Sequence, residues 1–289
     1  MPVSIVTDSV ACLPDTIVKE YGISVVPMEI VYKGRTYKDG VDMSPREFYE
    51  LLSKSDILPT TSAPTPKAFL DVYQKLAGDG CEILVICPST KLTHVYSSAT
   101  IARDMLRDKM AGAVVEVLDS GTAAGGQGFV VVDAVEAAAK GKDLPGVKRE
   151  AEEAMKDVHV VAFFDTIDYL ARSGRVPYIL AWANSLLKIK PLVELLPLGK
   201  GVVPLDRVRT REKALLRVMD ILEKRVSGIN ARVVVQHTNA LHEAHRLAQL
   251  VGSRLGLEDV AIHDFTPVMG VHTGPGLLGV SYSTYHAPD

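Results

Sequence analysis

The sequence is poor in cysteine. Only Cys12, Cys81 and Cys87 occur in 289 residues, with no CxxC pair and no histidine at matching spacing, so neither a disulfide framework nor a zinc site is indicated. A reducing compartment suits that usage. Long hydrophobic runs are missing too. A bilayer span needs about 20 apolar residues, and the apolar stretch after Gly128 is broken by Asp133 and Glu136. Residues 1–8 carry neither the basic start nor the long apolar core of a signal peptide. A soluble, cytoplasmic protein with no stable membrane insertion is therefore expected. Charge of one sign is equally scarce: 32 Lys and Arg stand against 35 Asp and Glu, for a formal net charge of -3. That gives no basic field for a polyanion, and no nucleic-acid partner is expected. Arg207, Arg209 and Arg211 alternate along one segment and could share a face, but a solvated edge is the plainer reading.

What is present is the material of a globular interior. Hydrophobic residues make up 47% of the chain and charged residues 23%, an ordinary balance. At roughly 150 residues per domain, the length predicts two domains.

The organisation is read from periodicity and punctuation. Residues 3–7 form a β-branched run ending at Thr7-Asp8-Ser9, and Leu13-Pro14-Asp15 opens an amphipathic stretch that stops at Gly22. Residues 23–32 read as one or two strands. Ser44-Pro45-Arg46-Glu47 supplies an N-cap, a proline at the first helical position and a capping-box glutamate. Thr65-Pro66 repeats that grammar. Residues 83–87 and 114–118 are buried strands, and Thr93 is placed to cap the helix between them. Strands alternating with helices predict a parallel, doubly wound sheet, whose ligands gather at the carboxyl ends of its strands. Past residue 157 the pattern turns to hairpin-like strands over 192–208, then two amphipathic helices, 212–225 and 241–255, around a strand at 231–237. Strands at 260–263 and 278–283 close the chain. The fold class is thus α/β: a mostly parallel domain over residues 1–156 and a mixed α+β domain over 157–289.

Four loops are rich in hydroxylated residues or glycine: Thr60-Thr61-Ser62-Ala63-Pro64-Thr65, Ser89-Thr90-Lys91-Leu92-Thr93, Arg172-Ser173-Gly174-Arg175 and His272-Thr273-Gly274-Pro275-Gly276. Hydroxyls beside helix-start amides suit a small anion. Taken alone, each loop is better explained by capping or turn closure. His272, in a glycine-rich turn after an apolar run, is as readily a structural histidine as an anion donor. Gly274 to Gly279 fit G-x-G-x-x-G, but a dinucleotide site needs a following helix and a distant acidic residue, and this chain supplies neither. No cofactor is expected. His237, His242 and His245 lack companions for a convincing ligand set, so no metal is expected either. Asp8, Asp119 and Asp165 are acid or base candidates only if they converge, and no G-x-S-x-G elbow accompanies any serine.

In their order and spacing, Thr7-Asp8-Ser9, Thr60-Thr61-Ser62-Ala63-Pro64, Arg172-Ser173-Gly174-Arg175, Lys188-Ile189-Lys190-Pro191, Val208-Arg209-Thr210-Arg211 and His272 with its glycines closely resemble the DegV family. The resemblance spans nearly the whole chain. It implies a non-enzymatic carrier that holds one long-chain fatty acid between its two domains and can present it to a separate fatty-acid kinase. The carboxylate positions it implies are Thr60 or Thr61, Thr93 and His272, with Ser62, Ser89 and Thr273 close by and Arg175 at the head group or facing a partner. The family motif Leu-Ser-Gly-Thr/Ser-Tyr reads Leu92-Thr93-His94-Val95-Tyr96 here, so His94 adds a side chain near the head group. Leu180, Trp182, Leu186, Leu187 and Ile189 are candidates for the tail slot, or for ordinary core. The competing reading is an enzyme acting on a small phosphorylated or carboxylated substrate.

Overall fold

A computed structural model describes residues 1–176 and 189–284. The first part of the chain runs β1 (Val3–Asp8), α1 (Asp15–Glu20), β2 (Ser24–Val26), β3 (Glu29–Tyr32), β4 (Arg35–Lys38), α2 (Pro45–Ser53), β5 (Thr60–Ser62), α3 (Pro66–Gly78), β6 (Glu82–Cys87), α4 (Val95–Lys109), β7 (Val115–Asp119), α5 (Ala124–Ala139) and α6 (Leu144–Ala154). The remainder runs β8 (Val158–Phe163), α7 (Asp168–Ser173), β9 (Lys190–Leu196), β10 (Gly201–Val208), α8 (Arg211–Val226), β11 (Arg232–His237), α9 (Leu241–Leu255), β12 (Ala261–Asp264), α10 (Pro267–Thr273) and β13 (Leu278–Ser283).

The first sheet has the order β2-β1-β6-β7 and is parallel throughout. Both of its faces are covered, and the strand sequences show how. Side chains alternate across a strand, so Val6, Ile83, Val85 and Cys87 join a core with α2, α3 and α4. Ile5, Leu84 and Ile86 enter a second core with α5 and α6. Apolar runs buried on both faces are the mark of parallel strands under helices. The second sheet, β10-β9-β8-β13-β11-β12, is antiparallel except for its β11-β12 pair. Its outer face packs on α8 and α9 through Val161, Phe163, Val218, Leu222, Val235 and Leu247.

Helix α5 lies between the two sheets. Its first turn approaches the second sheet so closely that only glycine fits: a Cβ on Gly125 would stand 2.7 Å from Gln236 Oε1 and from Ser281 Cβ. The Gly125 amide donates to that same Gln236 oxygen at 2.9 Å. On the next turns, Asp133 is fully buried and takes both guanidinium nitrogens of Arg232 at 2.7 Å.

Several local expectations hold in detail. Ser44 and Glu47 form the capping box of α2, and Thr65 caps α3 ahead of Pro66. Others are corrected. The 60–65 stretch is only partly loop: Thr60–Ser62 pairs antiparallel with β3, which also pairs β4, giving a small three-stranded sheet. Thr93 is not the cap of α4; His94 occupies that position, without a side-chain bond, and the helix opens at Val95. Arg172 and Ser173 end α7 rather than belonging to a loop, and His272 and Thr273 lie in the last turn of α10. The G-x-G-x-x-G match leads into strand β13, so it is no dinucleotide fingerprint here.

Candidate ligand site

The elements converge on a cavity of about 790 Å³. Val10 reaches it from the short turn after β1, Met28 from ahead of β3, and Thr61 and Ser62 from β5. Leu92, Thr93 and His94 come from the loop between β6 and α4, Arg175 follows α7, and Val268, Met269 and His272 come from α10. The position agrees with the rule that α/β sheets bind ligands beyond the carboxyl ends of their strands.

Its two kinds of surface are segregated by burial. Val10, Met28 and Val268 are buried at 6%, 3% and 1% exposure, and with Met269 and Leu92 they make an apolar floor. Ser62, Lys91, His94 and Arg175 are exposed at its rim. Among the described lining residues there are two cationic side chains, Lys91 and Arg175, and no carboxylate. That charge distribution favours an anionic group at the rim.

The central polar contact joins Thr61 Oγ1 and His272 Nε2 at 2.8 Å. His272 is held at a pKa of about 4, chiefly by burial and then by the Arg175 charge, so its ring is neutral at pH 7. Its Nδ1 is buried with no hydrogen-bond partner. A neutral imidazole and a hydroxyl can each donate to an incoming carboxylate. The helix that carries His272 is pinned at its start, where Asp39 Oδ1 accepts from the Val268 amide at 2.9 Å. Asp39 is 2% exposed, and burial raises its pKa. In mid-helix Gly270 is required: a Cβ there would lie 2.6 Å from Tyr49 Oη and 2.8 Å from Phe48.

Six of the nine expected contacts line this cavity: Thr61, Ser62, Thr93, His94, Arg175 and His272. Three do not. Thr60 faces an adjoining cavity of about 270 Å³, which shares Thr61, Arg175 and His272 with the larger one. Ser89 is buried at 1% exposure, where its Oγ accepts from the Lys91 amide and closes the loop. Thr273 donates to the Met269 carbonyl one turn back. Of the tail candidates, Leu180, Trp182, Leu186 and Leu187 lie outside the described residues, and Ile189 is buried but does not line the cavity.

The apolar floor, Lys91 and the positioning role of Asp39 were missed by sequence reasoning. One signal was available: Thr266-Pro267 repeats the Thr-Pro and Ser-Pro starts of α3 and α2 and marks the beginning of α10. The strand-end aspartates each engage local partners. Asp8 caps the Val10 amide and meets Gln127, Asp119 binds Thr90 and Gly121, and Asp165 holds Lys190 and Arg211. Among the described residues, no group of three or more His, Cys, Asp or Glu side chains is placed to hold a metal ion. Nor is any described helix long and apolar enough to cross a membrane.

The model of a family described as "Uncharacterised protein, DegV family" matches residues 2–285. The chain belongs to the DegV family. A DegV domain-containing protein of Clostridium perfringens is 31% identical over 286 residues, covering 98% of this chain and 99% of that protein. Protein DegV of Bacillus subtilis is 30% identical over 284 residues, with the same coverage of each. Solved DegV structures superpose closely. One from Thermus thermophilus, described by its fatty acid binding, has a TM-score of 0.89 at 28% identity, over 99% of this chain and all of that one. The Bacillus subtilis structure, described as a fatty acid binding protein, has a TM-score of 0.86 at 29% identity, over 98% of this chain and 99% of that one.

Proposed function

We propose that this DegV protein is a carrier that binds one long-chain fatty acid non-covalently, with the carboxylate at the Thr61–His272 rim and the tail along the apolar floor. The observation that carries the reading is the cavity itself: a buried apolar floor under a rim of hydroxyls, imidazole and guanidinium, with no carboxylate among its described lining residues. The DegV relatives described as fatty-acid binding proteins support it. Magnitudes divide the work. Each charge-assisted hydrogen bond contributes about 1.5–3 kcal/mol. Each buried methylene contributes about 0.8 kcal/mol, so a tail of roughly fifteen carbons dominates the gross affinity. The rim fixes register, and the tail supplies affinity.

The head-group contacts in this reading are Thr61, Ser62, Thr93, His94, Arg175 and His272. The chain divides into lobes over residues 1–156 and 157–289, with the ligand between them, since Thr61 comes from the first and His272 from the second. The protein performs no chemistry on the ligand; the strand-end aspartates are already engaged in loop closure and ion pairs. The carboxylate end faces outward past Arg175, where a separate cytoplasmic fatty-acid kinase meets it. Denaturing extraction of the purified protein followed by mass spectrometry tests the carrier reading. Near-stoichiometric fatty acid is expected. A lipid-free protein that also fails to bind added palmitate would overturn the proposal.

A further inference from the structure

A second cavity, of about 510 Å³, opens between α2 and the β11-α9 connection. Arg46, Tyr49 and Glu50 face it from α2; His237 and Asp264 face it from the carboxyl ends of the parallel strands β11 and β12, where they are register partners. Asn239 lines it from the turn leading into α9. This is again the carboxyl edge of a parallel βα pair, the place where such units bind ligands.

Two kinds of group stand unmatched there. On the accepting side, His237 is 3% exposed and its Nδ1 has no hydrogen-bond partner, with Asp264 Oδ1 3.3 Å away. Burial lowers the pKa of His237 although Asp264 opposes it, so a neutral ring stands beside the Asp264 carboxylate, whose side chain is 59% exposed. Arg46 and Glu50 cancel each other at 3.1 Å. On the donating side, Tyr49 is 7% exposed and its hydroxyl makes no well-formed hydrogen bond, although it lies beside the Thr238 hydroxyl, which donates to the Gly274 carbonyl. Helix α9 is fifteen residues long and opens at Leu241, with Ala240 at the cap position and no side-chain cap, which leaves its first amides free. Its one first-turn acid, Glu243, is directed to Arg211 Nη2 at 3.3 Å rather than back to those amides.

A simple anion would suit the helix start but meet Asp264. A simple cation would suit Asp264 but meet the positive end of the α9 dipole. A molecule carrying both charges satisfies both. We infer that this cavity binds a small zwitterion of amino-acid type, its carboxylate accepting from the first-turn amides of α9 and from Tyr49 Oη, its ammonium donating to Asp264 and to His237 Nδ1. The site is distinct from the fatty-acid cavity, with which it shares no lining residue.

Saturation-transfer NMR of the full-length protein with each common L-amino acid at millimolar concentration tests the inference. At least one amino acid is expected to bind, and its N-acetyl and carboxamide derivatives, which each lack one charge, are expected not to. Asp264→Asn should weaken binding about tenfold or more, the loss of one charge-assisted contact, and Tyr49→Phe should weaken it as well. Palmitate binding by Asp264→Asn serves as the control for folding and should be unchanged. The inference is overturned if no amino acid binds the wild-type protein, if either derivative binds as well as its parent, or if binding persists at full strength in both variants.

Discussion

Thr61 and His272 stand 211 positions apart in the sequence and are joined by a 2.8 Å hydrogen bond at the mouth of the main cavity. The bond brings a strand of the small three-stranded sheet to the helix that follows β12, so two distant segments present their donors together. That bond uses one of the two protons, so a carboxylate that takes both donors replaces it and bridges the two segments. His272→Ala and Thr61→Val should each weaken palmitate binding about tenfold to a hundredfold, the equivalent of one charge-assisted bond of ~1.5–3 kcal/mol. Isothermal titration measures the change; unaltered affinity in both variants would place the carboxylate elsewhere.

The same histidine makes a prediction in pH. Its ordinary value is 6.5, and burial with the Arg175 charge holds it at about 4 in the folded protein. Between those values the unfolded chain binds more protons than the native state, so stability rises with pH across that range. The contribution is fully present above about pH 6.5 and is lost as pH falls toward 4. Urea midpoints of the ligand-free protein should therefore fall more steeply from pH 7 to pH 5 in the wild type than in His272→Gln. Bound palmitate, by favouring the imidazolium, should reduce the wild-type slope. Equal slopes in wild type and variant would contradict the burial argument.

Asp39 acts through helix α10. Its Oδ1 accepts from the Val268 amide, and it is buried at 2% exposure. Asp39→Ala leaves that amide without an acceptor and should lower stability by about 1–3 kcal/mol, while also weakening palmitate binding because His272 loses its fixed position. Asp39→Asn keeps the accepting oxygen and should recover most of both losses. Chemical denaturation and titration on the two variants separate a positioning role from a purely electrostatic one.

The Asp133–Arg232 pair ties α5 to β11 with two bonds of 2.7 Å. Asp133 is fully buried. Arg232→Met removes the counter-charge and both of these bonds from an interior carboxylate, and should lower stability by about 3–5 kcal/mol. Asp133→Leu combined with Arg232→Met should restore much of the loss, read from urea unfolding of the single and double variants.

The parallel sheet was legible because its strands are continuous apolar runs bounded by polar turns, and the capped helices because Ser44-Pro45 and Thr65-Pro66 announce them. What escaped was set by distant partners. Thr60–Ser62 becomes a strand only because Glu29–Tyr32 lies beside it, and three hydroxylated residues hold too little pattern to show that. Ser89 and Thr273 lie off the cavity lining, where the Ser89 oxygen accepts from the Lys91 amide and the Thr273 hydroxyl donates to the Met269 carbonyl. The apolar floor was hidden because Val10, Met28 and Val268 look like any other core residues until the chain brings them together.

A crystal structure of the protein with bound palmitate tests the carrier assignment most directly. The carboxylate is expected within hydrogen-bonding distance of both Thr61 Oγ1 and His272 Nε2, with the tail over Val10, Met28 and Val268. A palmitate in reverse orientation, or one seated outside this cavity, would contradict it.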